Sequence, residues 1–180
     1  MRKINSEEIE IVKESLLDIS DKIWDFINEK KYEIYILPVD KKFFLVPSEL
    51  VNVMEKIQNE FAINRSGIPL GFIKKRKLYL SLEAAELFYN ESLLDFRKYL
   101  VLSEQGEKSA LYGNPIKKEM LLNFSPEIQK NELVFFINNE KEFLGIGLSK
   151  INYEIFKTMK FEDEVALNLV DKGSYLRKEQ

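Results

Sequence analysis

The chain has 180 residues and a formal net charge of −3, with 45% hydrophobic and 32% charged residues, a balance typical of a folded globular protein. It contains no cysteine and no histidine, which excludes disulfides, thiolate nucleophiles and zinc sites built on these side chains, and removes the commonest general base. The charge argues against a uniformly basic nucleic-acid-binding protein, so any such site has to be a local patch of cations.

Residues 1–95 are predicted to form an α+β unit with about three helices and a mainly antiparallel sheet. Asn5 and Glu8 have the spacing of a capping box, and the apolar residues from Ile9 to Ile23 recur every three or four positions, which predicts one helix. The basic run Lys74–Lys77 is predicted to be a solvated hairpin turn, with a second RNA-facing patch as the alternative. Strands are predicted over 32–39, 41–46, 68–73 and 77–82, and further helices from Ser48 and after Ser81.

Residues 96–180 have the closely spaced short strands of a small β-barrel. The polar stretch 104–109 is predicted to be a loop. Asn114 is a good N-cap and Pro115 suits the first helical position, which predicts a helix beginning there. Lys117 and Lys118 would then lie in its first turn. Strands are predicted over 98–103, 132–138, 142–149 and 164–170, with a short helix before the last of them.

Three motifs in the second half resemble, in order and spacing, the signatures of PUA domains, which are small pseudobarrels that bind RNA. They are SALYGNPIKKEML from Ser109, LVFFINNEKEFLGIGLS from Leu133 and LVDKGSYLR, whose end resembles a terminal strand, up to Arg177. The first motif and the total length resemble the Nip-seven family of large ribosomal subunit biogenesis factors. GIPLGFIKKRKLYLSLEAAELF, from Gly67, resembles that family's first half more loosely. The resemblance implies an N-terminal α+β domain over 1–95 and a PUA pseudobarrel over 96–180.

The resemblance also implies an RNA-binding surface rather than a catalytic centre. Lys118 lies within the first motif, and Lys157 falls on a position that is often basic in the family. The acidic run Glu162–Glu164 follows directly, where more positive charge is expected. Candidate RNA-binding residues are Lys117, Lys118, Lys150, Lys157, Lys160, Arg177, Gly113, Gly145 and Gly147; no catalytic residue, metal ligand or cofactor is expected.

Each candidate has a structural alternative. Lys117 and Lys118 either bind a phosphate at a helix N-terminus or point into water. The glycines either let an RNA backbone come close or supply special backbone angles at barrel corners. Arg177 suits a phosphate or an internal ion pair equally well.

The leading hypothesis is a non-catalytic ribosome-biogenesis factor that binds precursor ribosomal RNA through its PUA domain and assembly or RNA-processing proteins through its N-terminal domain. The alternatives are a protein-only adaptor with little RNA affinity, an RNA-modifying enzyme, or an accessory to an RNA-modifying or RNA-processing enzyme. No apolar run is long enough for a membrane span, and the charged N-terminus lacks a signal peptide's apolar segment. We therefore expect a cytoplasmic protein if the source is archaeal and a nucleolar one if it is eukaryotic, with no membrane partner.

Overall fold

Four capped or amphipathic helices and a five-stranded sheet make up the first half of the chain in the computed structural model, which describes residues 1–58, 60–63 and 65–177. The chain divides into two compact units, Met1–Leu94 (unit 1) and Asp95–Gln180 (unit 2). The helices of unit 1 are α1 (Ser6–Leu17), α2 (Asp21–Glu29), α3 (Ser48–Gln58) and α4 (Leu82–Asn90).

The capping signals in unit 1 begin helices where the sequence predicts them. The Asn5 side chain accepts from the Glu8 N–H at 2.9 Å, and the Glu8 carboxylate accepts from the Asn5 N–H at 2.9 Å, which completes the capping box. The prediction of one helix from Ile9 to Ile23 is wrong. Helix α1 ends at Leu17, and the Ser20 side chain caps the separate helix α2. The apolar spacing continues across the break because Ile19 and Ile23 are both buried.

The sheet of unit 1 is an antiparallel meander in which each strand pairs with the next. Its strands, in spatial order, are β1 (Arg2–Lys3), β2 (Tyr32–Leu37), β3 (Lys42–Pro47), β4 (Ile68–Lys74) and β5 (Lys77–Leu80). The side chains of β3 from Phe43 to Val46 are all buried, since helices cover both faces of the sheet at this strand. Helix α3 covers one face through Val51 and Met54. The outer half of that face, on β4 and β5, keeps exposed side chains.

Unit 2 is built on a six-stranded sheet that curls nearly into a barrel. Its spatial order is β7–β11–β10–β9–β6–β8, antiparallel except for the parallel pair of β6 with β9. The edge strands β7 and β8 are separated in the chain by three residues only, Lys118–Met120, which form a 3-10 turn. So short a link spans at most about 14 Å, so the two edges of the sheet must lie close together. The strands are β6 (Tyr99–Leu102), β7 (Ile116–Lys117), β8 (Leu121–Phe124), β9 (Leu133–Ile137), β10 (Phe143–Ser149) and β11 (Glu164–Asp171).

The curled sheet encloses one apolar core with side chains from most of its strands. Leu100, Ile116, Val134, Phe136 and Val165 are fully buried there. Three helices accompany the sheet: α5 (Glu104–Leu111), α6 (Tyr153–Thr158) and α7 (Ser174–Arg177). The predicted α+β class, with an antiparallel sheet in the first half and a nearly closed barrel at the end, is confirmed.

The segment around Gly113 ends a helix instead of beginning one, so the predicted helix after Asn114 is wrong. Helix α5 occupies the stretch that the sequence predicts as a loop, and it stops in a Schellman motif. The Gly113 N–H donates to Ala110 O at 2.9 Å, and the Asn114 N–H donates to Ser109 O at 3.0 Å. Gly113 has a φ of 79°, in the left-handed region that this motif requires. Residues after Pro115 form β7 and the 3-10 turn, so Lys117 and Lys118 do not lie in the first turn of an α-helix.

The last motif is also corrected in its secondary structure. The segment SYLR is the short helix α7, whereas the resemblance implies a strand. The strand ends at Asp171, and residues 172–173 turn the chain into the helix.

Candidate nucleic-acid interface

Five of the candidate lysines lie around helix α6 and the beginning of β11. Lys157 is in α6, and Lys160 lies two residues beyond the end of that helix. Lys117 pairs across the sheet with Glu164, the first residue of β11. The Lys150 N–H donates to Val165 O at 2.8 Å, next to that pair. We call these residues the lysine surface: Lys117, Lys118, Lys150, Lys157 and Lys160.

Lys118 caps the C-terminus of α6. Its ammonium donates to Phe156 O at 2.8 Å and to Met159 O at 2.9 Å, and it lies 4.5 Å from the centre of the Phe156 ring. The C-terminal end of a helix carries partial negative charge, which a cation stabilises. Lys118 is therefore in a favourable electrostatic environment without any bound anion, and its hydrogen bonds hold α6 against the 3-10 turn.

The other lysines differ in how firmly the protein holds them. Among the residues that the structure describes, the ammonium groups of Lys117 and Lys160 make no hydrogen bond or ion pair. Lys157 pairs with Glu154 at 3.1 Å within α6 and lies 4.2 Å from the Tyr153 ring centre. Lys150 is paired with Glu164. Lys117 and Lys160 are thus available to a ligand, and Lys157 is held only by an exposed pair.

The acidic run after Lys160 is mostly engaged within the fold. The Asp163 carboxylate accepts from the Lys160 N–H at 2.8 Å, and Glu164 pairs with Lys150. Glu162 is exposed. The acidic residues beside the lysine surface equal the lysines in number: Glu119, Glu154, Glu162, Asp163 and Glu164.

Two exposed aromatic residues beside the lysines are absent from the sequence-based prediction. Phe161 is 71% exposed, and its ring centre lies 6.0 Å from the Lys118 ammonium. Tyr153 is 44% exposed and lies under the Lys157 ammonium. Exposed aromatic rings next to cations are the features on which bases of single-stranded RNA stack. The sequence signal for Phe161 is its position between Lys160 and an acidic run, where no core residue is needed.

Arg177 lies apart from the lysine surface. Its guanidinium binds the Asp171 carboxylate through two hydrogen bonds, of 3.1 and 2.8 Å, and also donates to Leu111 O at the end of α5. The hydrogen bonds that Arg177 donates to Asp171, which is 2% exposed, raise the pKa of Arg177. Asp171 ends β11 and Glu164 begins it, so about 20 Å of strand separates Arg177 from the lysines. The prediction of one surface that includes Arg177 is therefore wrong, because its ion pair is internal.

The candidate glycines are explained by packing. A Cβ on Gly147 would lie 2.2 Å from the Phe136 ring, and one on Gly145 would lie 2.6 Å from Val170 O. A Cβ on Gly113 would lie 2.9 Å from an Arg177 nitrogen, at the end of the unit opposite the lysines. None of the three opens a face beside the lysine surface.

Over the described ranges, 1–58, 60–63 and 65–177, no group of three acidic residues could hold a metal ion. No helix in this part of the chain has the length and the apolarity that crossing a bilayer would take.

The fold is that of PUA-domain proteins. A hypothetical protein of Pyrococcus horikoshii OT3 matches with 14% identity and a TM-score of 0.66, over 97% of this chain and 98% of that chain. A conserved PUA domain protein of Thermoplasma acidophilum matches with 12% identity and a TM-score of 0.58, over 99% and 97%. A PUA domain structure of Aeropyrum pernix K1 matches with 11% identity and a TM-score of 0.66, over 97% and 87%.

The particular family follows from two sequence models. The model described as "NIP7/UPF0113, pre-PUA domain" matches residues 1–82, and that of the "UPF0113 PUA domain" matches residues 98–180. This chain belongs to the NIP7/UPF0113 family, which confirms the sequence-based prediction. A UPF0113 protein of Archaeoglobus fulgidus is 27% identical over 177 residues, which cover 98% of this chain and 94% of that one. Since PUA domains bind RNA, RNA is the ligand class to expect, and the family points to a non-catalytic role.

Proposed function

We propose that this protein is a non-catalytic assembly factor of the large ribosomal subunit that binds precursor ribosomal RNA through the lysine surface of unit 2. Unit 1 contacts assembly or RNA-processing proteins. Family membership supports the class of ligand. The observation that carries the choice of site is that the ammonium groups of Lys117 and Lys160, next to the weakly held Lys157, have no partner within the described part of the chain.

Phosphate binding at this surface costs the protein little. The Lys157–Glu154 pair is exposed and local, and pairs of this kind stabilise a helix by only about 0.2–0.5 kcal/mol. When a phosphate displaces Glu154 from Lys157, the protein therefore loses little stability. Lys118 keeps its hydrogen bonds and adds a fixed positive charge behind the other three. Phe161 lies beside them and offers its ring to a base.

The equal number of acidic side chains around the lysine surface favours a second candidate, a protein-only adaptor. Such a surface suits a partner protein with charges of both signs, and it weakens the attraction for a polyanion. The two candidates differ in whether the same lysines retain RNA.

Replacing Lys157 and Lys160 together with Glu tests the proposal. Fluorescence anisotropy with labelled single-stranded oligo(U) and with ribosomal RNA fragments should show affinity lower by at least about tenfold, because two attractive charges become repulsive. The matched control is K22E/K56E, which makes the same change in charge at two exposed residues of unit 1. An unchanged affinity in K157E/K160E, with an unchanged circular dichroism spectrum, would contradict the proposed site. Failure of the wild-type chain to bind either RNA would favour the adaptor.

A further inference from the structure

The outer face of β4 and β5 carries a stacked pair of exposed aromatic side chains. Phe72 and Tyr79 lie directly opposite each other on the two strands. Their ring centres are 5.3 Å apart and the ring planes differ by 8°. Phe72 is 44% exposed and Tyr79 is 39% exposed. We call this pair the aromatic platform.

The aromatic platform is bordered by lysines on the same face of the sheet. Lys42 lies directly opposite Phe72 on β3, and Lys74 lies directly opposite Lys77. Side chains two positions apart along a strand point to the same face, so Lys74 and Lys77 flank the two rings along their strands. Three ammonium groups therefore surround two stacked rings on one open face.

The end of the sheet beyond the platform concentrates positive charge. The β2–β3 and β4–β5 turns lie at this same end, because Lys42 at the start of β3 pairs with Phe72 near the end of β4. Two of the cations there have acidic partners: Arg76 pairs with Glu7 at 3.1 Å and Lys42 with Asp40 at 3.8 Å. Unit 1 carries 14 basic residues, and six of them cluster here: Lys41, Lys42, Lys74, Lys75, Arg76 and Lys77.

The turn between β4 and β5 carries cations where its backbone favours other residues. Lys75 and Arg76 have φ values of 51° and 57°, the left-handed conformation of both central residues of a type I′ turn. Asn, Asp and Gly adopt this conformation most readily. The chain instead places two long cationic side chains at the tip, so positive charge is kept there against the local backbone preference.

We propose that the aromatic platform and its lysines form a second RNA site, which binds a short single strand by stacking one or two bases and contacting the adjoining phosphates. Each ring uses one face to stack on the other ring. Strand β5 is at the edge of the sheet, so the second face of Tyr79 is turned beyond the last strand and is open to a base. Rings and cations on one surface match the two components of a single strand, whose bases are flat and whose backbone is anionic.

This inference goes beyond the proposed function, which assigns RNA to unit 2, and it does not depend on it. Cross-strand aromatic pairs also stabilise hairpins, and the Phe72–Tyr79 contact contributes in that way. A purely structural pair, however, has no requirement for lysines beside it on β3 and beyond it on β4 and β5. A protein partner is the competing occupant, and the experiment separates the two.

The test uses the full-length chain and ten-nucleotide single strands of adenosine and of uridine, the latter carrying one 5-iodouridine. Ultraviolet irradiation should crosslink the iodinated strand to the peptide that contains Phe72 or Tyr79. Anisotropy measured in the K157E/K160E background, which weakens the unit 2 site, reports the remaining affinity. In that background F72L/Y79L should lower affinity for oligo(A) by at least about fivefold, since each stacked base contributes substantially. K74Q/K77Q should lower it as well.

Matched controls remove an aromatic ring and two charges elsewhere in unit 1. F61L removes a ring that is 66% exposed, and K22Q/K56Q removes two exposed lysines. Both control variants should bind oligo(A) with an affinity within twofold of that of the K157E/K160E parent. F72L/Y79L should leave the affinity for heparin unchanged.

Crosslinks confined to unit 2, or equal affinity before and after F72L/Y79L, would overturn this inference while leaving the proposed function intact. Crosslinks at the platform with no effect of K157E/K160E would uphold it and overturn the proposed function. Unchanged RNA affinity in F72L/Y79L would leave a protein as the occupant of the platform, and the inference would be wrong. Thermal unfolding of each variant confirms that the hairpin is retained.

Discussion

At the scale of single residues, this protein uses long cationic side chains to terminate helices. Lys118 donates to the last carbonyl groups of α6, and Arg177 donates to Leu111 O at the end of α5. In both cases the cation comes from a segment far along the chain, so it stabilises the helix and fixes that segment at once. The positive charge of these two residues therefore has a role in folding that needs no ligand.

Neighbouring lysines with opposite roles give a direct test. K118M should lower the free energy of unfolding of unit 2 by about 2 kcal/mol, since hydrogen bonds to a charged group are lost while the apolar stem is kept. Urea titrations followed by far-ultraviolet circular dichroism measure this change. K117M removes an ammonium that has no partner among residues 1–58, 60–63 and 65–177, so it should leave stability unchanged and weaken RNA binding severalfold. A larger effect of K118M than of K117M on RNA affinity would contradict these roles.

The candidate site was partly predictable at this scale. Lys157 and Lys160 can be predicted from sequence because they lie in and just after a short amphipathic segment. The backbone partners of Lys118 and Arg177 cannot, since they lie 38, 41 and 66 positions away and are brought close only by the folded sheet. Phe161 has charged neighbours on both sides, Lys160 and Glu162, which indicate exposure but do not distinguish a base-stacking ring from any other exposed ring.

At the scale of elements, the residues Gly113, Asn114 and Pro115 carry two contradictory signals. Asn followed by Pro is typical of a helix start, and Gly followed within two residues by Pro is typical of a helix end. The apolar residues on either side of this three-residue segment decide whether it begins or ends a helix. Helix α5 has few apolar residues and places Gly106 where a Cβ would lie 2.7 Å from Met120 O, so its helical pattern is weak in the sequence. By contrast, the longer strands and the capping box of α1 have strong local patterns and are predicted correctly, whereas the short strands β1, β7 and β8 are not predicted.

The capping box of α1 should make the stability of unit 1 depend on pH. Hydrogen bonds from Arg2, and from the Asn5 N–H, hold the pKa of Glu8 below its usual range. The stabilisation is therefore complete above the unfolded-state pKa, about 4.3, and is lost as the pH falls through the lower folded-state value. E8Q should cost about 1 kcal/mol at pH 7 and progressively less as the pH falls below the unfolded-state pKa. The fluorescence of Trp24, the only tryptophan, reports unfolding of unit 1; a pH-independent difference would contradict this assignment.

At the scale of the whole molecule, the negative net charge and the clustered cations act on RNA over different distances. A net charge of −3 repels a polyanion, but salt screens that repulsion beyond about 10 Å at 0.1 M. Contacts between the lysine surface and a phosphate are shorter than this distance, so salt screens them less. They still weaken as the salt concentration rises, because cations compete with the lysines for the phosphates. Binding is therefore expected to be local, moderate in strength and sensitive to salt.

The salt dependence gives a number for this balance. Lys117, Lys157 and Lys160 can engage three phosphates, so the slope of log K against log salt concentration should be about −2 for a single strand. The variant to measure is K74Q/K77Q, in which the unit 1 site is weakened. It is titrated with oligo(U) at KCl concentrations between 50 and 300 mM. The K157E/K160E version of the same protein serves as the control and should give a slope close to zero. A steep slope in that control would place the phosphate contacts elsewhere.

The short link between β7 and β8 has a consequence for how unit 2 is made. Strand β7 pairs with β11, which the ribosome synthesises about fifty residues later, whereas β8 pairs with the earlier β6. While the nascent chain is still being extended, β7 is an unpaired edge held beside a half-built sheet. The domain therefore closes only when Glu164–Asp171 has left the exit tunnel, and α6, which precedes that strand, receives its cap from Lys118 at the same moment.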